Sequence, residues 1–377
     1  MKLMIVTPYF PPHIGGAENY AYNIAKGLKE KYGWEVVVVT SNHEERKYKE
    51  EQMDGMKIYR LPRWFKVSNT PINPLWLFSI HRIIKEERPE IINVHLPVPF
   101  ISDITSLVAG NIPLITTYHA GSMIKISSIW NPLIFLYELF FLKMLFRKST
   151  EIICYSPDYI RRNLKKYKVK TNYIPPGVDV SIFRPSPEKP VNDVLFVGRI
   201  EKNSDWKGIK YLLDAISIIK ISKPDISLRL VGLGDRVDYY KKYAETLGIN
   251  KNVTFVGCKV GVDLVSEYQK SKSLVLPSIT ESESFGMVLI EMGACGKPVV
   301  GANVGGIPFV IDDNKTGLLV PPKDPEALAD AIIKILINPQ LAKKMGENGY
   351  KKVKENFTWD KQIEKTKKII EESLDKK

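Results

Sequence analysis

Cysteine is scarce in this chain: three among 377 residues, Cys154, Cys258 and Cys295, far apart and each in an apolar run. That excludes a disulfide framework and argues against a cysteine-built metal site, so the three read as core thiols of a reducing compartment. Long hydrophobic runs are lacking too. The most apolar stretch, 129–146, is interrupted by Pro132, Glu138 and Lys143 and barely reaches a spanning length. The opening Lys2-Leu3-Met4-Ile5-Val6 meets Pro8 too soon to form the core of a signal peptide, and a cytoplasmic location is expected. The Gly-x-Gly-x-x-Gly fingerprint is missing: Gly232-Leu233-Gly234 runs into Asp235 without a third glycine, which disfavours a nicotinamide or flavin cofactor. No Asp-x-Asp triplet stands ready to hold a divalent ion, so no metal is expected. No segment is of low complexity.

What is present is ordinary soluble protein, 44% hydrophobic and 26% charged, and long enough for two domains rather than one core. The formal charge of +13 is uneven, with 24 Lys/Arg against 15 Asp/Glu in residues 1–175 and 31 against 27 beyond. Such a surplus suits nucleic acid, an anionic membrane or phosphate-bearing substrates, without choosing among them. Short β-branched runs alternate with helical segments, beginning at 2–7, 18–32 and 35–40, in the grammar of βαβ units. Their near-continuous apolar character predicts parallel strands covered on both faces. Prolines and charges at 175–190 mark a linker, after which the alternation restarts at Val194. The expected architecture is α/β: two facing, doubly wound, Rossmann-like domains, 1–180 and 190–358, with an amphipathic helix at 359–377 packing back on the first. The carboxyl edges of two such sheets would line an inter-domain cleft for a nucleotide-sized ligand.

Three features carry chemistry. Gly15-Gly16-Ala17-Glu18 follows a proline-rich loop and opens the first helix, where glycine permits close backbone approach and helix amides point at an anion; a plain loop-to-helix turn reads the same way. Arg199 stands at the carboxyl end of the second domain's first strand, and Lys207-Gly208 starts the next helix; a guanidinium fork with an ammonium suits a diphosphate, although exposed cations near helix starts are common. The most specific segment is 281–296. Ser284 is predicted to cap a helix that ends at Gly296, leaving the amides of Phe285, Gly286, Met287 and Val288 free for phosphate. Glu291 is the only ionic side chain within that apolar helix and needs a partner, ribose hydroxyls or a structural arginine. Glu283 and Glu291 would be separated by about 12 Å of helical rise. A glycosidase pair stands roughly 5 to 9.5 Å apart, so the two are better hydroxyl acceptors than a hydrolytic dyad.

Together these residues resemble the retaining glycosyltransferases of family 4, the group 1 glycosyltransferases, whose fold is named GT-B. The likeness spans nearly the whole chain and rests on Gly15-Gly16-Ala17-Glu18, Gly198-Arg199 with Lys207-Gly208, Pro176-Gly177-Val178-Asp179, Glu283 and Glu291 with seven residues between them, and Gly305-Gly306 before 314–320. It implies a diphosphate contact at Gly16, a phosphate clamp of Arg199 and Lys207, donor-sugar hydroxyls on Glu283 and ribose on Glu291. It places His119 beside the reacting centre, where residue type alone suggests no more than a polar, exposed strand end. The gap between Arg199 and Lys207 is longer than the family's, which leaves Lys202 as an alternative clamp.

The resemblance implies a metal-independent hexosyltransferase that takes a UDP- or GDP-sugar as co-substrate. It puts the acceptor, a glycan or a lipid-linked hydroxyl, on the first domain, where Arg63-Trp64-Phe65-Lys66, Trp76-Leu77-Phe78 and 129–148 mix aromatic and basic residues. That mixture suits an anionic bilayer, or simply a helix packed under its own sheet. An epimerase of similar shape is an alternative. Nucleic acid is not the expected partner, because no binding module's signature appears.

Overall fold

A computed structural model describes residues 1–13, 15–67, 70–119 and 131–375. Residues 129 and 130 of the apolar stretch, and 376 and 377 of the C-terminal segment, lie outside the described residues. The chain divides into two compact units, Met1–Pro176 with Trp359–Lys377, and Gly177–Thr358.

The first unit is built on an eight-stranded sheet. Its strands are β1 (Lys2–Thr7), β2 (Glu35–Ser41), β3 (Lys49–Met53), β4 (Met56–Leu61), β7 (Ile91–Leu96), β8 (Leu114–Tyr118), β9 (Glu151–Cys154) and β10 (Lys170–Tyr173), in the order β10-β9-β8-β7-β1-β2-β4-β3. A separate hairpin pairs β5 (Phe65–Val67) with β6 (Thr70–Ile72). Seven sheet strands run parallel; in all but the edge strand β10 the aliphatic side chains are buried on both faces, which leaves little to distinguish those strands from a continuous apolar run. Only β3 is antiparallel. Its Lys-Glu-Glu-Gln-Met sequence has no apolar period, because an exposed edge strand needs none, and the sequence pattern accordingly gives no sign of it. The core gathers Trp76, Ile80, Ile92, Leu96, Leu145 and Phe146 under one face. The helix Trp359–Leu374 lies against Gly16–Tyr32, with Ile363 over Gly27.

The second unit holds a wholly parallel six-stranded sheet: β11 (Asn192–Val197), β12 (Leu228–Val231), β13 (Val253–Gly257), β14 (Ser271–Leu276), β15 (Val299–Ala302) and β16 (Gly317–Val320), in the order β13-β12-β11-β14-β15-β16. Its core runs from Phe196 and Leu230 to Leu213, Ile216 and Ile332. Cys154 and Cys295 are buried as expected, but Cys258, one residue past β13, is exposed. In each sheet the strand order reverses at the first strand, β1 with β7 and β2 beside it, β11 with β12 and β14 beside it. Open α/β sheets take ligands off the carboxyl ends at such a reversal.

Candidate functional site

In the second unit, β11 and β14 are neighbours and deliver their loops to the same corner. Past β11 come Gly198 and Arg199, then a 3-10 turn, Lys202–Lys207, closed by Gly208. Past β14 comes Pro277 through Glu283. The two loops are tied by the Ile279 amide, which donates to the Trp206 carbonyl at 2.8 Å. Lys207 lies along Gly198, with its Nζ 3.1 Å from Glu283 Oε2 and 4.6 Å over the Trp206 ring. Ser278 Oγ donates to the same Glu283 oxygen at 3.2 Å. Glu283 Oε1 has no partner among the described residues. Arg199 is exposed and forms no ion pair among them. Lys202 is exposed as well, its amide held by Asp235 Oδ1 at 2.8 Å, while its ammonium meets no carboxylate there. The corner therefore presents an unpaired guanidinium, a part-buried ammonium and a carboxylate with one oxygen open.

Gly208 shows how narrowly this corner is built. Its φ is +74° and a Cβ would stand 2.0 Å from the Pro277 carbonyl oxygen. Gly208→Ala is expected to cost roughly 2 kcal/mol or more and to displace Lys207. Gly248→Ala, at φ +68° with open space around it, is expected to cost about 1 kcal/mol. Urea unfolding of the two variants checks the difference; equal costs would mean that the contact with Pro277 imposes nothing.

The helix expected to begin at Ser284 begins instead at Met287 and runs to Ala294, with Gly286 at its N-cap in a left-handed conformation, φ +86°. Ser284 and Phe285 stay in the loop because the Gly305-Gly306 segment packs against it. The Gly306 amide donates to the Glu283 carbonyl at 2.7 Å, and a Cβ on Gly306 would stand 2.1 Å from the Ser284 carbonyl. Phe285 is buried edge-on against Phe357 and anchors the loop. The first-turn amides without intrahelical partners are therefore those of Met287 and Val288. Glu283 is not on the helix, so the helical rise between it and Glu291 does not apply. Gly296 does end the helix: its amide donates to Gly293 and that of Lys297 to Met292. Glu291 is half-buried, and its side-chain partner among the described residues is not an arginine but the Tyr268 hydroxyl, which donates to Oε2. Burial raises the Glu291 pKa, and the Tyr268 bond opposes that shift.

In the first unit, Gly15 caps the helix Gly16–Tyr32. The space a Cβ would take on Gly15 is filled by the Glu18 carboxylate, whose Oε2 would stand 2.1 Å from it. Any phosphate approaching Gly16 does so beside that charge. His119 follows β8 directly and, against the expectation of an exposed strand end, is buried. It is also not alone. Its Nε2 lies 2.8 Å from His95 Nδ1, and His95 Nε2 lies 2.9 Å from Asn93 Oδ1. The Asn93 amide group donates to the Ile115 carbonyl at 3.1 Å, which makes its Oδ1 an acceptor. His95 then carries its proton on Nε2 and accepts at Nδ1, so His119 donates from Nε2 and keeps a lone pair on Nδ1. That Nδ1 is closed to water and has no partner among the described residues. Burial holds the His95 pKa down to about 3. Burial, and then His95, hold that of His119 well below the ordinary range.

Comparison with known proteins settles the family. Residues 180–352 match the glycosyl transferases of group 1, and residues 14–182 match glycosyltransferase family 4. An uncharacterized glycosyltransferase of Methanocaldococcus jannaschii is 30% identical across 100% of this chain and 99% of its own. This chain belongs to the group 1 glycosyltransferases. Among solved structures, sucrose-phosphate synthase of Thermosynechococcus elongatus superposes with a TM-score of 0.81 at 23% identity, covering all of both chains. HepE of Anabaena, solved in complex with UDP-glucose, superposes with a TM-score of 0.71 at 20% identity, covering 97% of this chain and 99% of that one. Both establish the GT-B fold of two Rossmann-like domains.

For this glycosyltransferase the sequence pattern singled out Arg199, Lys207 and Glu283 as candidates but not the groups that hold the candidates in place. Ser278 and Trp206 steady the Lys207–Glu283 pair, Tyr268 steadies Glu291, and Asn93 with His95 sets the tautomer of His119. Asn93 and His95 lie two apart on β7 and so share a face, the one signal available in the sequence. It becomes meaningful only once β8 is known to be the neighbour.

Proposed function

We propose that this glycosyltransferase moves a hexosyl group from a UDP- or GDP-sugar to a hydroxyl acceptor with retention of configuration and without a metal. The observation that carries the reading is the Lys207–Glu283 pair beside unpaired Arg199, off the strand reversal of the second sheet. Arg199 and Lys207 take the diphosphate and stabilise the charge that grows on it as the sugar's C1–O bond breaks. The Met287 and Val288 amides reinforce them. Glu283 Oε1 accepts a hydroxyl of the donor sugar, and Glu291, oriented by Tyr268, accepts from the ribose. His119, whose tautomer His95 sets, is the histidine that the resemblance places beside the reacting centre. The acceptor oxygen bonds to C1, and its proton passes to the departing phosphate oxygen, so no protein nucleophile is required. The complex of HepE with UDP-glucose supports the donor class.

The test is a thermal-shift panel of uridine, guanosine and adenosine diphosphates and their sugars in EDTA. A ligand that binds only the folded protein adds about 2.7 kcal/mol at a hundred times its Kd. For a unit of this size that raises the melting temperature by roughly 5 to 10 °C. UDP or GDP is expected to do so without added metal. No shift from any nucleotide would remove the donor reading, and a shift dependent on magnesium would remove metal independence. The anomeric configuration of the product, read by NMR, decides retention.

On the acceptor side, the segment 131–148 exposes Leu133, Phe135, Leu136, Phe140 and Phe141 beside Arg147. No helix among the described residues is long and apolar enough to cross a membrane. The reading is peripheral docking on an anionic bilayer, which would bring the enzyme to a lipid-linked acceptor. Flotation with phosphatidylglycerol liposomes but not with neutral ones is the expected result, and loss of flotation in Phe140→Ser/Phe141→Ser its check. Equal recovery with and without anionic lipid would sink the idea.

A further inference from the structure

The carboxyl edge of the first unit's sheet carries a second group of cations, which donor binding leaves unused. It lies past the ends of β1, β2 and β4. Arg60, the penultimate residue of β4, is 2% exposed; Nε pairs with Glu51 Oε1 at 2.6 Å and one terminal nitrogen donates to the Pro11 carbonyl. Its other terminal nitrogen, Nη1, is closed to water and has no partner among the described residues. Arg63 donates from Nη2 to the His43 carbonyl at 3.0 Å, while its Nε is likewise closed off and unpartnered. So is Nδ1 of His43, whose ring meets that of His13 edge-on at 5.1 Å. His13 stacks on Tyr9 at 4.4 Å and stands 3.1 Å from Glu18 Oε1, without the alignment of a hydrogen bond. Lys66 holds its Nζ 5.5 Å over the Tyr9 ring and pairs with no carboxylate among the described residues.

Buried polar nitrogens without partners are costly, and three in one cluster call for a common acceptor. The local carboxylates do not supply it: Glu18 faces His13, and Glu51 is shared between Arg60 and Lys49. The field of the cluster is correspondingly positive. Lys66 is pushed below its ordinary pKa by burial and then by Arg63. His43 is pushed down by burial and then by His13 and Arg60, with only Glu44 opposing. Exposed Trp64 and Phe65 adjoin Arg63 and Lys66 in the chain and offer apolar faces on which a sugar ring can lie.

We infer that this cluster is a subsite for an oxyanion, a phosphate or carboxylate carried by the sugar acceptor. Lys66 is exposed and Arg63 half-buried, so an anion arriving from solvent meets them first; the closed nitrogens of Arg60 and His43 are deeper. The inference rests on the acceptor binding to the first unit.

Calorimetric titration of the full chain with inorganic phosphate tests it, at constant ionic strength and with UDP or GDP saturating so that the donor corner is filled. Phosphate is expected to bind, about tenfold or more weakly in Arg63→Gln and several-fold more weakly in Lys66→Gln, and unchanged in Lys207→Gln. Competition by a hexose 6-phosphate, a hexuronate or a short-chain alkyl phosphate, each against its neutral counterpart, then tells a sugar phosphate from an acidic sugar or a lipid-borne phosphate. Absence of binding, or binding indifferent to both Arg63→Gln and Lys66→Gln, would overturn the inference. Should Arg63→Gln fail to fold, exposed Lys66 carries the test. Nucleotide affinity measured in the same variants keeps the donor reading separate: it survives when only the oxyanion subsite is wrong.

Discussion

Lys207→Ala is expected to lower turnover by about two to three orders of magnitude. The ammonium is the one cation of the second unit's corner already placed by the fold, fixed by Glu283, Ser278 through Glu283, and the Trp206 ring. Charge that develops on a leaving phosphate is stabilised most by donors that need not reorganise. An oxygen-directed donor of this kind is worth about 3 to 4 kcal/mol in the transition state. The same substitution leaves the Glu283 carboxylate, 8% exposed, with Ser278 as its remaining side-chain partner among the described residues, so a loss of stability should accompany the loss of rate. Steady-state kinetics beside a urea titration separates the two effects. Lys202→Ala is the necessary companion, because the long loop leaves either lysine eligible by sequence. Lys202 is exposed and its side chain takes no part in the Glu283 pair, so its replacement should change turnover only a few-fold. Near-normal turnover in Lys207→Ala with collapse in Lys202→Ala would reverse the assignment.

The histidine pair should make the protein acid-labile in a window that ordinary carboxylates do not reach. His95 and His119 are held neutral by burial, with pKa values depressed below 6.5 to about 3 for His95 and well down for His119. Below pH 6.5 the unfolded chain binds protons at both positions and the folded one does not. Stability from this source is therefore full above 6.5 and falls as pH drops, at roughly 1.4 kcal/mol per pH unit for each ring. Between pH 6.5 and 5 the pair accounts for about 3 kcal/mol. His95→Gln should remove its share of that slope, measured by urea unfolding at several pH values. An unchanged slope would mean that the pair is already protonated in the folded state. The same variant disturbs the tautomer of His119 and should lower turnover at pH 7.5, where stability is not limiting.

How much of this was legible before the fold is uneven, for physical reasons. Strands buried on both faces are written as apolar runs, and nearly all of them could be placed; β3 and the β5–β6 hairpin, exposed edges with no such pattern, could not. Arg199, Lys207 and Glu283 stood out in the sequence because charges next to strand ends contrast with the apolar runs they follow. Ser284 misled because a good capping residue states only a local preference. The close approach of Gly305 and Gly306, some twenty residues on, overrides it and delays the helix to Met287. His119 looked like an exposed strand end because burial depends on what lies alongside, and His95 is 24 residues away in the chain.

The sequence by itself determined the doubly wound architecture and the family, and singled out the cations past β11, since periodicity, turn residues and charge are local properties. Only the tertiary structure decided which lone pairs are free. It joined Lys207 to Glu283, gave Glu291 a tyrosine, fixed the proton of His119 through Asn93, and left the nitrogens of Arg60, Arg63 and His43 without acceptors, because hydrogen-bond partnership is settled between strands that the chain order keeps apart.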